Sequence, residues 1–216
     1  MGRTKAPRAP AVEDRSVSSS LEPDAVEVAL AAHLARDEHP EAATLALRSY
    51  GPALLSYLFG VLRDRALAEE AFADFSEQLW RSISGFRGEC SFRSWAYRLA
   101  WHTALRTLKD PYRRRGRRLE TEELSALVEA IRTATPLHLQ TDAKSAVDGL
   151  RQALEPEERA LLILRLDRGL SWKEIAGVLA ESQGTSVPEA ALRKRFERIK
   201  SKLRVLAERA GLLAPK

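Results

Sequence analysis

The chain has 216 residues, with 35 Lys and Arg against 30 Asp and Glu, and an isoelectric point near 9.5. A single cysteine, Cys90, rules out a disulfide within the chain. No apolar run approaches the ~20 residues that span a bilayer, and Arg3, Lys5 and Arg8 are not followed by the apolar stretch of a secretory signal. No membrane insertion and a cytoplasmic location are therefore expected, and Cys90 is expected to be a buried small side chain.

The charge is unevenly spread. Arg98 to Arg118 holds eight basic residues and one acid, and Arg193 to Arg204 holds seven and one. Asp64 to Glu77 holds five acids and one base. Two basic patches imply a polyanionic partner, and the acidic one a separate protein partner.

In chain order, residues 1–23 are rich in Pro, Ser and Arg and read as a disordered tail. Asp24 opens a first helix ending near His39-Pro40. A second runs from Pro40 to Leu62 and should bend or break at Gly51-Pro52. A third covers about Ala66 to Ile83, with Leu67, Ala71, Phe75, Leu79 and Ile83 spaced by four. Gly85 to Cys90 reads as a loop, and a fourth helix covers about Phe92 to Lys109. Leu119 to Thr133 reads as a weak helix. Asp142 or Ser145 opens another, Pro156 starts the next, and Gly169 ends it. No β-branched alternation suggests a strand.

The last quarter is the most informative. Ser171 and Glu174 have capping-box spacing at a helix start. Beyond a turn, Leu192, Phe196, Ile199, Leu203 and Leu206 form a stripe spaced 4, 3, 4, 3 on a basic helix. A short helix, a turn and a basic amphipathic helix is the pattern of a DNA-reading helix-turn-helix. A solvated face or a groove-binding helix is the plainer reading of the basic helix alone. The turn is long, Glu181 to Pro188, and Ser186 with Glu189 could restart the helix through a second capping box.

Around the fourth helix, Phe86, Phe92, Trp95, Tyr97 and Trp101 lie within sixteen residues, interleaved with Arg87, Arg93, Arg98 and Arg106. Aromatics that stack on unpaired bases beside Arg that grips phosphate suit a single-strand-capturing surface. Trp95, Leu99 and Phe92 sit at helical spacing, and for them a core position is favoured over base stacking by roughly two to one. The four His (33, 39, 102, 138) have no metal-ligand spacing, no Gly-rich phosphate loop is present, and neither an enzyme nor a cofactor is expected.

Read together, Y-G-P-A-L-L-S-Y-L at 50–58, A-E-E-A-F-A-D-F-S-E-Q-L-W-R at 68–81, S-F-R-S-W-A-Y-R-L-A at 91–100, L-E-P-E-E-R-A-L-L-I-L-R-L at 154–166 and G-L-S-W-K-E-I-A at 169–176 resemble bacterial RNA polymerase sigma factors of the extracytoplasmic-function (ECF) type. The resemblance implies an all-α chain of two small helical domains joined by a flexible linker: a tail at 1–23, a polymerase-binding and −10 domain at 24–115, a linker at 116–144, and a helix-turn-helix −35 domain at 145–216. It implies core RNA polymerase as a partner, docked on Glu69, Glu70, Asp74, Glu77 and Trp80. It implies promoter DNA as the second partner. Phe86, Arg87, Phe92, Arg93, Tyr97, His102 and Arg106 would open and hold the single-stranded −10 element, and Arg193, Lys194, Glu197 and Arg198 would read the double-stranded −35 element. An anti-sigma factor clamped between the domains is the expected inhibitor. The chain departs from the family pattern at Ala73 (Gln is common), at Ser76 (an aromatic is common) and at His102 (Asn is usual). The competing readings are a conventional helix-turn-helix regulator with a helical sensor domain, and a degenerate helical adaptor or decoy.

Overall fold

The computed structural model describes residues 23–109, 121–135, 146–180 and 187–214. The expected tail, the Arg113–Arg118 run and residues Glu181–Ser186 of the long turn lie outside them. All regular structure among the described residues is helical.

α1 (Pro23–Ala35) leads into α2 (His39–Leu62), the central helix of the molecule. Pro40 sits in the first turn of α2, where its missing N–H costs nothing. Pro52 neither breaks nor ends α2, contrary to expectation. The helix continues because twelve of its residues are buried, and packing outweighs one lost backbone bond. By length and composition α2 could cross a membrane, a feature the reading of short apolar runs passed over. Here its apolar surface meets α1, α3, α4 and other helices of this chain instead.

The turn into α3 (Arg65–Ser82) is tight. Arg63 adopts a left-handed conformation (φ 59°) and donates its N–H to the Phe59 carbonyl, and Asp64 caps α3 by accepting from the Leu67 N–H at 2.9 Å. A 3-10 turn, Ile83–Gly85, closes α3, and a loop leads to α4 (Phe92–Lys109). Tyr57, Leu58 and Val61 of α2, Phe72, Phe75 and Leu79 of α3, and Tyr97, Ala100 and Ala104 of α4 share one buried core. Each large side chain in it contributes about 1.5–3 kcal/mol. The exposed exception is Cys90, in the loop rather than the core.

The weakly read segment forms a full helix, α5 (Glu122–Ala134), capped by Thr121. Leu124, Val128 and Ile131 are buried, and α5 packs on α2 and α3. Part of the expected flexible linker is thus folded against the first half. Gly51 of α2 permits the approach: a Cβ there would stand 2.8 Å from Ile131 Cδ1.

The second half comprises α6 (Ala146–Gln152), α7 (Pro156–Leu162) extended by a π-helical turn (Ile163–Asp167), α8 (Trp172–Val178) and α9 (Glu189–Arg209). Gly169 (φ 67°) ends the π turn. The Ser171–Glu174 capping box forms as read, with bonds of 3.2 and 2.8 Å. The stripe on α9 faces inward: Leu192, Phe196 and Ile199 are buried, and Trp172 of α8 meets Phe196 edge-on at 5.5 Å. The two halves touch, α7 on α2 and α8 on α4.

Candidate nucleic-acid interface

The N-terminus of α4 is tied to α1 and to its own preceding loop. Glu27 of α1 accepts from the Phe92 and Arg93 backbone N–H groups, both at 2.8 Å, and from the Tyr50 hydroxyl at 3.0 Å. Ser91 Oγ accepts from the Ser94 N–H, and the Ser91 carbonyl from the Trp95 N–H. Three of the otherwise free N–H donors of the first turn, those of Phe92, Arg93 and Ser94, are therefore paired with side chains. A carboxylate at this end also complements the helix dipole. Tyr50 stacks on Phe92, and Phe86 of the preceding loop packs on Phe92 and Trp95 with ring centres 5.2 and 5.3 Å away. The loop is thereby tied to α4 through aromatic contacts.

Downstream, α4 turns one side outward as an open groove. Trp95, Arg98, Leu99, His102, Leu105, Arg106 and Lys109 line it, with Gln78 of α3 at its edge. Gln78 accepts from Arg106 and Thr103 and so fixes the guanidinium across the groove. Burial first, then the charges of Arg98 and Arg106, push the His102 pKa below its ordinary value. The shift favours the neutral imidazole, and the positive charge of the groove comes from Arg98, Arg106 and Lys109. An indole beside three cations and a neutral imidazole can stack on a base and hold a phosphate backbone.

The expected −10 residues separate into two sets. Phe86 is half-buried, Arg87 exposed, and His102 and Arg106 belong to the groove. Phe92 and Tyr97 lie in the core, each 1% exposed; the aromatic side chain that lines the groove is Trp95. Arg93 is half-buried, with its guanidinium on the Arg168 carbonyl and 6.0 Å from the centre of the Tyr97 ring.

Arg93 and Ser94 join the halves. Ser94 Oγ donates to the capping-box carboxylate of Glu174 at 3.1 Å. On the other side, Arg159 of α7 donates to the Val61 carbonyl at 2.9 Å. Beyond these contacts a cleft runs between α4 and α8–α9, lined by Trp101, His102, Leu105, Leu192 and Arg195 among others, and it is continuous with the groove through His102, Leu105 and Lys109.

On α9, Arg193, Lys194, Glu197 and Arg198 are all exposed. Arg193 bonds Glu189, and Glu197 pairs with Lys200 at 2.8 Å. Two other basic residues of this helix are used internally: Arg195 pairs with Glu157 at 2.6 Å and Lys202 with Glu158 at 2.9 Å, both acids on α7.

The acidic helix α3 has two sides. Glu70 and Asp74 are partly exposed. Glu77 is buried and pairs with Arg81. Glu69 pairs with Arg65 at 2.7 Å and with Arg132 of α5. Burial would raise the Glu69 carboxyl, but the hydrogen bonds and charges of the two arginines more than offset it and the net shift is downward. Trp80 is half-buried at a surface pocket that it shares with Leu45, Arg48 and Glu123.

Comparison with known families agrees with this layout. Sigma-70 region 2 matches residues 46–118, which take in α2 from Ala46 onward, α3 and α4. The chain is 27% identical over 151 residues to RNA polymerase sigma-H factor of Pseudomonas aeruginosa, covering 65% of this chain and 76% of that protein. It is 29% identical over 141 residues to RNA polymerase sigma factor YlaC of Bacillus subtilis, covering 62% and 78%. It is 28% identical over 129 residues to ECF RNA polymerase sigma-E factor of Escherichia coli, covering 55% and 63%. The region 2 match takes in α3, α4 and the groove on α4. Over the matched stretches the chain is similar to RNA polymerase sigma factors, one of them of the ECF type, at 27–29% identity.

Proposed function

We propose that three surfaces divide the work of initiation. Glu69, Glu70, Asp74, Glu77 and Trp80 on α3 dock core RNA polymerase. The groove of α4, with Phe86 and Arg87 of the loop at its head, takes the non-template strand of the −10 element. Residues 145–216 form the −35 unit, in which α8 and α9 act as a helix-turn-helix and Arg193, Lys194, Glu197 and Arg198 meet duplex DNA. The protein does this by binding alone, without a chemical step, in the cytoplasm where the polymerase is.

The observation that carries the reading is that the region 2 match contains both α3 and the α4 groove. The outward charge of α9 supports the third surface, since Arg can pair with guanine, Glu can accept from cytosine, and further cations grip phosphate. Titrating the labelled protein with sigma-free core RNA polymerase should give saturable one-to-one binding. Lys194→Ala should weaken duplex binding by the holoenzyme while leaving polymerase affinity intact. Glu70→Arg with Asp74→Arg should weaken polymerase binding first. If both changes damage DNA binding only, the separate docking surface is wrong.

A further inference from the structure

α5 runs antiparallel along α3. At one end Glu123 shares a pocket with Trp80, and at the other Arg132 pairs with Glu69. Glu69, Ala73, Ser76 and Trp80 follow the helical period and so form one face of α3. That face lies to the side away from Gln78, which bonds α4. Ser76 on this face is completely buried, and Ala73 is partly so. Small side chains at these two positions let another helix lie close, as Gly51 does on α2. The face therefore accepts an amphipathic helix with a cation opposite Glu69, and α5 is that helix.

The seat is shallow. α5 has 13 residues and buries only Leu124, Val128 and Ile131 within the helix. A helix of this length is marginal by itself and depends on its docking. Two of the five proposed polymerase-docking side chains, Glu69 and Trp80, lie at its two ends.

We propose that α5 is a removable cover, an intramolecular ligand that competes with core RNA polymerase for the Glu69–Trp80 face of α3. This rests on the reading that α3 is the docking helix. Polymerase binding then requires α5 to leave, and the apparent affinity falls by the fraction of molecules in which α5 has left.

The test pairs hydrogen exchange with core titration on the full chain. In the free protein the amides of residues 124–134 should be protected, and saturating core RNA polymerase should expose them. Val128→Asp places a charge in the apolar seat and should unseat α5. It should raise polymerase affinity on the order of tenfold, since closed states of this kind leave roughly a tenth or less of molecules open. Should Val128→Asp also lose protection in α2 and α3, Arg132→Ala substitutes for it, with a smaller rise of about two- to threefold expected. Continued protection of α5 in the complex, or unchanged or weaker affinity of a well-folded release variant, overturns the cover. If wild type and release variants alike fail to bind polymerase, the docking assignment of α3 itself falls, which is a distinct result.

Discussion

Glu27 joins α1 to the N-terminus of α4 across 65 residues of sequence, and Glu27→Ala measures how much the start of α4 depends on it. The substitution removes acceptors from the Phe92 N–H, the Arg93 N–H and the Tyr50 hydroxyl. Loss of a helix-capping side chain costs about 0.5–2 kcal/mol, and a hydrogen bond to a charged group contributes about 1.5–3 kcal/mol. The site is only part-buried, so water recovers some of each bond, and a loss of about 2–3 kcal/mol is expected. Glu27→Gln keeps one acceptor oxygen and should lose about half of that. At about 2–4 °C per kcal/mol for a chain of this size, the alanine variant should melt roughly 4–12 °C lower. Urea unfolding followed by tryptophan fluorescence reads the change, with Trp95 one turn inside α4 as the local reporter. A loss below about 0.5 kcal/mol for Glu27→Ala would refute the claim that α1 holds this helix end in place.

Two further outcomes are expected. The Tyr57 hydroxyl is buried with no hydrogen-bond partner among the described residues, so Tyr57→Phe should stabilise the protein by about 1 kcal/mol, and a lower melting temperature would contradict this. Burial would raise the Glu174 carboxyl, but bonds from Ser171 and Ser94 and the charge of Arg93 bring it below its ordinary value. Its contribution is therefore present above the ordinary carboxylate range and lost as pH falls through the lower folded value. The α4–α8 contact should loosen in that acid window, seen as a fall in energy transfer between dyes on the two halves, and an identical acid midpoint in Glu174→Gln would exclude Glu174 as the link.

What the sequence disclosed was mainly local. The Ser171–Glu174 box and the α9 stripe depend on spacings of three and four, and both formed as read. The helical character of the chain was legible for the same reason. The environment of the aromatic helix was not. Spacing shows that Phe92, Trp95, Tyr97 and Leu99 lie on a helix, but Ala96, Ala100 and Ala104, all buried, decide which side faces inward. That side takes Phe92 and Tyr97 and leaves Trp95 at the groove. Glu27 gave no local signal, because its partners come from α2 and α4. Ala73 and Ser76 stood out only as departures from a family pattern, since what they lie beside depends on where α5 docks. Pro52 misled because the burial that carries α2 through it comes from other helices.

The docked position of α5 also sets a length. While it is seated, ten residues of sequence separate Thr135 from Ala146, a length that spans at most roughly 36 Å. With α5 released, as proposed, the sequence between Lys109 and Ala146 is 36 residues long, a length that spans at most roughly 120 Å. Under the proposed cover the same helix is a reel: wound onto α3 it shortens the connection between the two halves, and paid out it lengthens it.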